Sequence, residues 1–305
     1  MARIRGSHRF AMGLLLLASV AAMALAASHV GGEPFRPSEA LLLSPSRHHL
    51  MGTDALGREV GTRLLHGAAT GLLVAVLSVV GATCIGVVVG MIAGYVGGVV
   101  DDVLLKLAEV FQVVPGFLLA LVAAALFGPS RVLLAVVLAV IFWPLTARLV
   151  RAEVLALRER PFVQAARVLG ARHPRILARH LLPAVLPLVV VNASFQAGTA
   201  VLIEAGLAFL GLGDRNAVSW GTMLADAQPY VAVAWWLSLF PGAAVAVTVL
   251  GMNLLGDGLN EVQAVGGTSP AATEGGPQLL RFWTRKWRLQ QPTQGPEAEG
   301  TAGRR

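Results

Sequence analysis

The side chains of this 305-residue chain best suited to chemistry are seven histidines, one cysteine and a few polar groups inside apolar runs. The histidines (8, 29, 48, 49, 66, 173, 180) include no His-Glu-x-x-His pair, and His48 and His49 have no carboxylate cluster around them in sequence. That leaves no metal site to expect, because a zinc-type centre needs three or four ligands at defined spacing. Cys84 stands alone, which excludes an intrachain disulfide. No glycine loop ends in Gly-Lys-Ser/Thr, so the chain carries no P-loop for ATP. Lys106 and Glu109 lie one helical turn apart and are expected to pair. No catalytic residue and no cofactor is expected, and the energy for any work must come from elsewhere.

Two patterns remain. Asn192, Gln196 and Thr199 fall at i, i+4 and i+7, one face of a helix, with Glu204 just past its end. Polar groups within a bilayer face protein or water, so this stripe reads either as a solute path or as hydrogen bonding between helices. The second pattern is a basic stretch from Arg158 to Pro187. Pro161 suits a first helical position, Phe162, Ala165, Ala166 and Leu169 share one face, and Gly170 ends the short helix before Pro174 opens the next. This predicts a helix-turn-helix outside the membrane, offering small side chains that a partner could cup. A basic amphipathic helix resting on anionic lipid is the alternative.

The elements that must position these residues follow from composition. Apolar residues make up 55% of the chain and charged residues 13%, against roughly 45–50% (glycine included) and 25% in soluble domains. A net charge of +7 would suggest nucleic acid in a soluble protein, but here the bases cluster between apolar runs, which is a membrane pattern. Six stretches are apolar enough to cross the roughly 30 Å hydrocarbon layer: 10–27, 68–94, 103–127, 132–147, 181–203 and 231–255. Residues 148–180 hold eight arginines against Glu153 and Glu159, whereas 28–67 holds four arginines against four acids. The positive-inside rule then puts residues 1–9, the loop 151–180 and the tail 263–305 in the cytoplasm, and 28–67 outside.

Gly86, Gly90, Gly94 and Gly98 recur every four residues and predict a face of close helix approach, within the chain or between subunits. Pro115, Pro144, Pro187 and Pro241 each interrupt a span and predict kinks. The first span is read as retained, with a cleavable signal peptide as the alternative, given its basic start and the small residues Ala24 to Ser28.

Several stretches carry a family resemblance. Gln164-Ala165-Ala166 with Gly170 and then His180-Leu181-Leu182-Pro183 resembles the Glu-Ala-Ala loop of bacterial binding-protein-dependent ABC importer permeases. Gly52-Thr53-Asp54-Ala55-Leu56-Gly57-Arg58-Glu59, Ala93-Gly94-Tyr95-Val96-Gly97-Gly98, Leu207-Ala208-Phe209-Leu210-Gly211-Leu212-Gly213, Ser219-Trp220-Gly221 and Asn253-Leu254-Leu255-Gly256-Asp257-Gly258-Leu259 resemble its C-type branch, the second permease of dipeptide, oligopeptide and nickel importers. The similarity covers roughly residues 8 to 262, with Gln164 in place of the usual Glu.

The resemblance implies an all-α, six-span, type I importer permease: a first helix 10–27, an extracytoplasmic loop 28–67 and a five-helix core 68–262 in a bacterial inner membrane. It implies as partners a second homologous permease, two ATP-binding subunits, an extracytoplasmic solute-binding protein and surrounding lipid, and no nucleic acid. Phe162, Gln164, Ala165, Ala166, Leu169 and Gly170 would contact the ATPase, and Asn192, Gln196 and Thr199 would line the path. Peptides are the expected solute, with nickel chelates, opines or glutathione as alternatives, and an ATP-independent carrier as the rival from another class. The tail 263–305 reads as having no fixed fold, its aromatic and basic residues 279–288 suiting either an inner-leaflet anchor or a solvated extension.

Overall fold

The computed structural model describes residues 2–27, 29 and 32–266; the tail beyond residue 266 lies outside the described residues. Residues 1–263 form one compact unit. Ten α-helices carry it: α1 (Ala2–Ala27), α2 (Val60–Val96), α3 (Gly98–Val113), α4 (Gly116–Phe127), α5 (Arg131–Arg158), α6 (Pro161–Val168), α7 (His173–Ile176), α8 (Leu182–Leu207), α9 (Trp220–Ala227) and α10 (Trp236–Gly266). Among the described residues the only β pairing is a bridge between Thr53 and Glu59. Five helices are long and apolar enough to span a membrane alone, and α3 with α4 makes a sixth crossing if the bent pair counts as one.

That bent pair occupies the expected span over 103–127, with the kink expected at Pro115 taken as far as a break between two helices. The two helices meet at 73°. Pro115 has no N–H to donate and forces the preceding residue out of the helical region; Val114 is extended, at φ −88°, ψ 129°. Pro144, Pro187 and Pro241 sit inside uninterrupted helices instead. The expected span edges also shift. α2 has 37 residues, about 55 Å at 1.5 Å per residue, so its first turns, with Arg63, belong to the outer loop rather than to the bilayer. The short stretch 132–147 lies within the 28 residues of α5. The fifth span runs His173–Leu212, continuing α7 into α8 through a π turn at Leu177–Leu181, and the sixth begins at Trp236 rather than at 231.

The most extensive helix contact joins α2 to α5, and the glycine repeat explains it. A Cβ on Gly86 would lie 2.5 Å from Thr146 Cβ, one on Gly90 2.4 Å from the Ala147 carbonyl oxygen, and one on Gly94 2.9 Å from that of Arg151. Three of the four glycines therefore pack within the chain. Gly98 does not; at φ +58° it opens α3, and a Cβ there would touch nothing. Glu109 also departs from expectation, reaching Arg148 on α5 at 3.7 Å rather than Lys106 on its own helix.

α1 packs along α10. A Cβ on Gly13 would meet the Leu255 nitrogen at 2.6 Å and one on Gly258 the Phe10 nitrogen at 2.6 Å, while Arg9 pairs with Glu261 at 2.6 Å. These contacts bring the start of α1 and the end of α10 to one end of the bundle. Trp236, at the other end of α10, donates its indole N–H to the Thr53 carbonyl in the outer loop. Outward from the bundle, Val76, Val80, Val88, Val136 and Leu202 expose half or more of their surface, the apolar face that lipid covers.

The glycine contact is testable. Gly90→Ala places a methyl against backbone that cannot swing aside, and overpacking of this kind costs about 1–3 kcal/mol. Gly71→Ala meets only ordinary contact, Trp220 at 3.8 Å, and gains helix propensity of about 1 kcal/mol. The detergent-solubilised Gly90→Ala protein should melt several degrees below the wild type and Gly71→Ala at or above it; equal melting temperatures would refute the close approach.

Candidate functional site

In the loop between α5 and α8, α6 is seated on its two buried residues. Pro161 is the first residue of α6, as the sequence suggests. Val163 (0% exposed) and Ala166 (8%) turn inward against Val150, Val154, Ile176 and Leu181. Phe162, Val168 and Leu169 turn outward, the last two 89% and 86% exposed, and Gln164 and Ala165 join them on the exposed side. The expected face of Phe162, Ala165, Ala166 and Leu169 thus divides: Ala166 belongs to the seat of the helix, not to its outer surface. The reason is register. Ala166 stands three residues from Val163, close to one helical turn, and follows the larger apolar residue inward.

α6 closes in a Schellman motif. The Ala171 N–H donates to the Ala166 carbonyl and the Gly170 N–H to that of Arg167, both at 3.0 Å. Gly170 supplies the left-handed residue this requires, at φ +76°, with open space where a Cβ would be. Gln164 donates its amide N–H to the Glu159 carbonyl at 3.2 Å, so in place of an acidic side chain the loop has a local strap. Arg160, Arg167, Arg172, Arg175 and Arg179 flank this turn in sequence, all exposed.

The stripe in α8 does not form one path. Asn192 and Gln196, 8% and 4% exposed, both donate to the Thr146 hydroxyl oxygen on α5 at 3.0 Å, and Gln196 also donates to the Phe142 carbonyl at 3.2 Å. Thr199 lies on the exposed flank and bonds back to the Phe195 carbonyl. The structure therefore corrects the expectation of three path-lining residues: two of them tie α8 to α5, and only Thr199 is exposed. Spacing alone put the three on one side of α8. It could not show that Thr146, itself fully buried, faces two of them. Glu204, expected just beyond the helix, lies inside α8 and is 5% exposed.

The outer end carries a constellation that spacing did not reveal. Asp54 accepts from the backbone N–H of Leu56 and Arg58 and from the side chains of Arg58 and Arg63, each at 2.6–2.9 Å. Asp226, at the end of α9, accepts from the same two arginines at 3.1 and 2.8 Å. Two aspartates and two arginines thus clasp the outer loop to α9 beside a cavity of about 370 Å³ that Tyr230 and Leu237 also line. Beneath it, a capping box of Ser219 and Thr222 starts α9, and Trp220 seats against Gly67 and donates to the Leu64 carbonyl at 3.0 Å. Asp54 and Arg58 belong to a stretch the sequence singled out. Asp226 carried no local signal, because its partners lie more than 160 residues away.

Among the described residues no group of three or more His, Cys, Asp or Glu side chains could hold a metal ion. The arrangement offers packing, hydrogen bonds and charged surfaces rather than a reacting centre.

Residues 86–264 match the family described as binding-protein-dependent transport system inner membrane component. The chain is 37% identical to a putative peptide transport system permease protein of Brucella suis, over 85% of this chain and 88% of that one. It is also 37% identical to a dipeptide transport system permease protein of Alkalihalophilus pseudofirmus, over 82% and 83%. In fold it is similar to an inward-facing structure of the MetNI methionine ABC transporter, with a TM-score of 0.54 at 21% sequence identity, covering 67% of this chain and 96% of that one.

The Thr146 node predicts an asymmetry. Thr146→Val leaves the Asn192 amide buried without its acceptor and strips Gln196 of one of two, and each unmet buried donor costs about 1–3 kcal/mol. Thr146→Val should lower the melting temperature of the solubilised protein and Thr146→Ser should restore it; an unchanged Thr146→Val protein would contradict the buried network.

Proposed function

The chain belongs to the binding-protein-dependent transport inner membrane components, and on that footing we propose that it is one of two homologous permease subunits of an ATP-driven peptide importer. Membership makes it a transport permease component rather than an enzyme, and in this reading the ATP-driven importer is preferred to an ATP-independent carrier. The names of its relatives favour peptides over nickel chelates, opines or glutathione. The partners in this reading are the second permease, two ATP-binding subunits and an extracytoplasmic binding protein that delivers the solute.

The observation that carries the reading is the outer face of α6. Phe162, Val168 and Leu169 expose apolar side chains on a helix outside the bilayer, within a ring of arginines, and an apolar patch with a charged rim marks a protein contact. An ATP-binding subunit that cups this face can push on α6 when it closes on nucleotide. α6 passes the movement inward through Val163 and Ala166 to α5 and α8, and rotation of those helices exposes the path to one side and then the other. Its own residues supply no chemistry; they supply a lever and half of a wall.

The geometry also supports the orientation with α6 and both ends of the described bundle in the cytoplasm. α2 and α5 run from the outer clasp toward the arginine-rich loop, α8 runs back, and α10 ends beside Arg9. In a Cys84→Ala background, Leu169→Cys should resist an impermeant thiol reagent in intact cells and label in inverted vesicles; labelling in intact cells would reverse the topology.

Docking and seating should separate by mutation. Leu169→Asp puts a charge on the outer face, and co-purification with the ATP-binding subunit should fall at least several-fold while the permease stays folded. Ala166→Arg forces a long side chain into the seat, where overpacking costs about 1–3 kcal/mol, so its melting temperature should fall as well. A Leu169→Asp protein that retains the ATPase and transports at wild-type rate would leave α6 a lipid-facing segment.

A further inference from the structure

The stretch Ala93 to Gly98 ends α2 in a corner held from several sides. The Gly97 N–H donates to the Ala93 carbonyl at 3.0 Å, and Arg158 donates to the Gly94 carbonyl at 3.0 Å. Gly97 and Gly98, at φ +74° and +58°, reverse the chain into α3. There Asp101, 7% exposed, accepts two bonds from Arg151 at 2.5 Å. Arg151 and Arg158 are seven residues apart on α5 and so lie on one face. The corner is fixed to α5.

From this corner Tyr95 reaches the loop. Its hydroxyl and His173 Nδ1 share a hydrogen bond of 2.8 Å, and the two rings meet edge to face at 5.6 Å. The guanidinium carbon of Arg167 stands 5.2 Å from the centre of the same ring, within cation–π range. Arg167 lies in the last turn of α6 and His173 opens α7, so one ring holds both sides of the Gly170 turn. Behind it, Met91 joins the apolar cluster under α6.

We propose that Tyr95 is the positioning residue through which movement of the Gly170 turn reaches α2. The proposal rests on the reading that α6 receives the ATPase. α8 follows the loop by chain continuity through α7, and α5 leads directly into α6. α2 has no such covalent link; it meets the turn through Tyr95, with Met91 behind. α2 also follows α5 through their glycine seam; what the ring alone carries is the movement of the Gly170 turn itself, which without it does not reach α2.

Cys84, the lone cysteine, is exposed on α2 and can report that movement. The assembled transporter, with cysteine-free partner subunits, is labelled there with bimane, and fluorescence is followed on trapping the ATPase with ATP and vanadate. The expected result is a nucleotide-dependent change in the wild type that falls at least twofold in Tyr95→Ala, with ATPase co-purification unchanged. Tyr95→Phe, which keeps the ring under Arg167 and loses the hydroxyl, should lie between them. An undiminished change in Tyr95→Ala, or no change in the wild type, would overturn the proposal. So would loss of ATPase co-purification in Tyr95→Ala, which would make Tyr95 part of the docking surface. Failure of the underlying reading shows elsewhere, as full ATPase retention by Leu169→Asp.

Discussion

The contact on which the rest depends is the approach of α2 to α5 along Gly86, Gly90 and Gly94. With a Cβ excluded by backbone atoms under 3 Å away at Gly90 and Gly94, the two helices meet with little between them but main chain and the side chains of α5. Lipid tails are as apolar as leucine, so hydrophobic burial does not hold such a pair together in a membrane; close packing and hydrogen bonds do. Everything downstream takes its position from this seam. It sets Thr146 at the depth where Asn192 and Gln196 find it, and it brings Arg151 and Arg158 to the corner at the end of α2.

The polar groups along the seam follow the same logic. An amide within hydrocarbon must find a partner, and Thr146 serves two amides with one oxygen. Three helices are joined without a charged group at that depth. The charges are held to the two ends, with Asp101 and Arg151 at one and the aspartate–arginine clasp at the other. A chain with 13% charged residues thus spends many of them on the corners of the bundle and on the arginine-rich loop around α6.

Much of the architecture was legible because it rests on local signals. Apolar runs gave the crossings, and Pro161 and Gly170 bracketed α6 to within a residue or two. What was not legible depends on contacts between distant segments. Proline alone does not tell a break from a tolerated interruption, so Pro115 and Pro144 look alike in sequence and behave differently in the fold. Helical spacing put Ala166 among docking residues, yet the side it faces is decided by Ile176 and Leu181. Spacing likewise grouped Asn192, Gln196 and Thr199, while the partner on α5 that distinguishes them is about 50 residues away. Asp226 had no signal at all. The motifs of the family resemblance did contain Asp54, Arg58 and Tyr95, but not what each of them touches.

The outer clasp has an electrostatic consequence. Its two aspartates and two arginines sum to zero within a few ångströms, so their fields cancel at a distance and nothing remains to steer a diffusing ion of either sign. The mouth of the cavity it borders is therefore nearly silent at long range, and changes of ionic strength have little there to screen. The opposite end of the bundle, where unbalanced arginines gather, projects a strong positive potential. Contact at the first end is decided by shape and short-range forces, whereas at the second an acidic surface would be drawn in by charge before it touched.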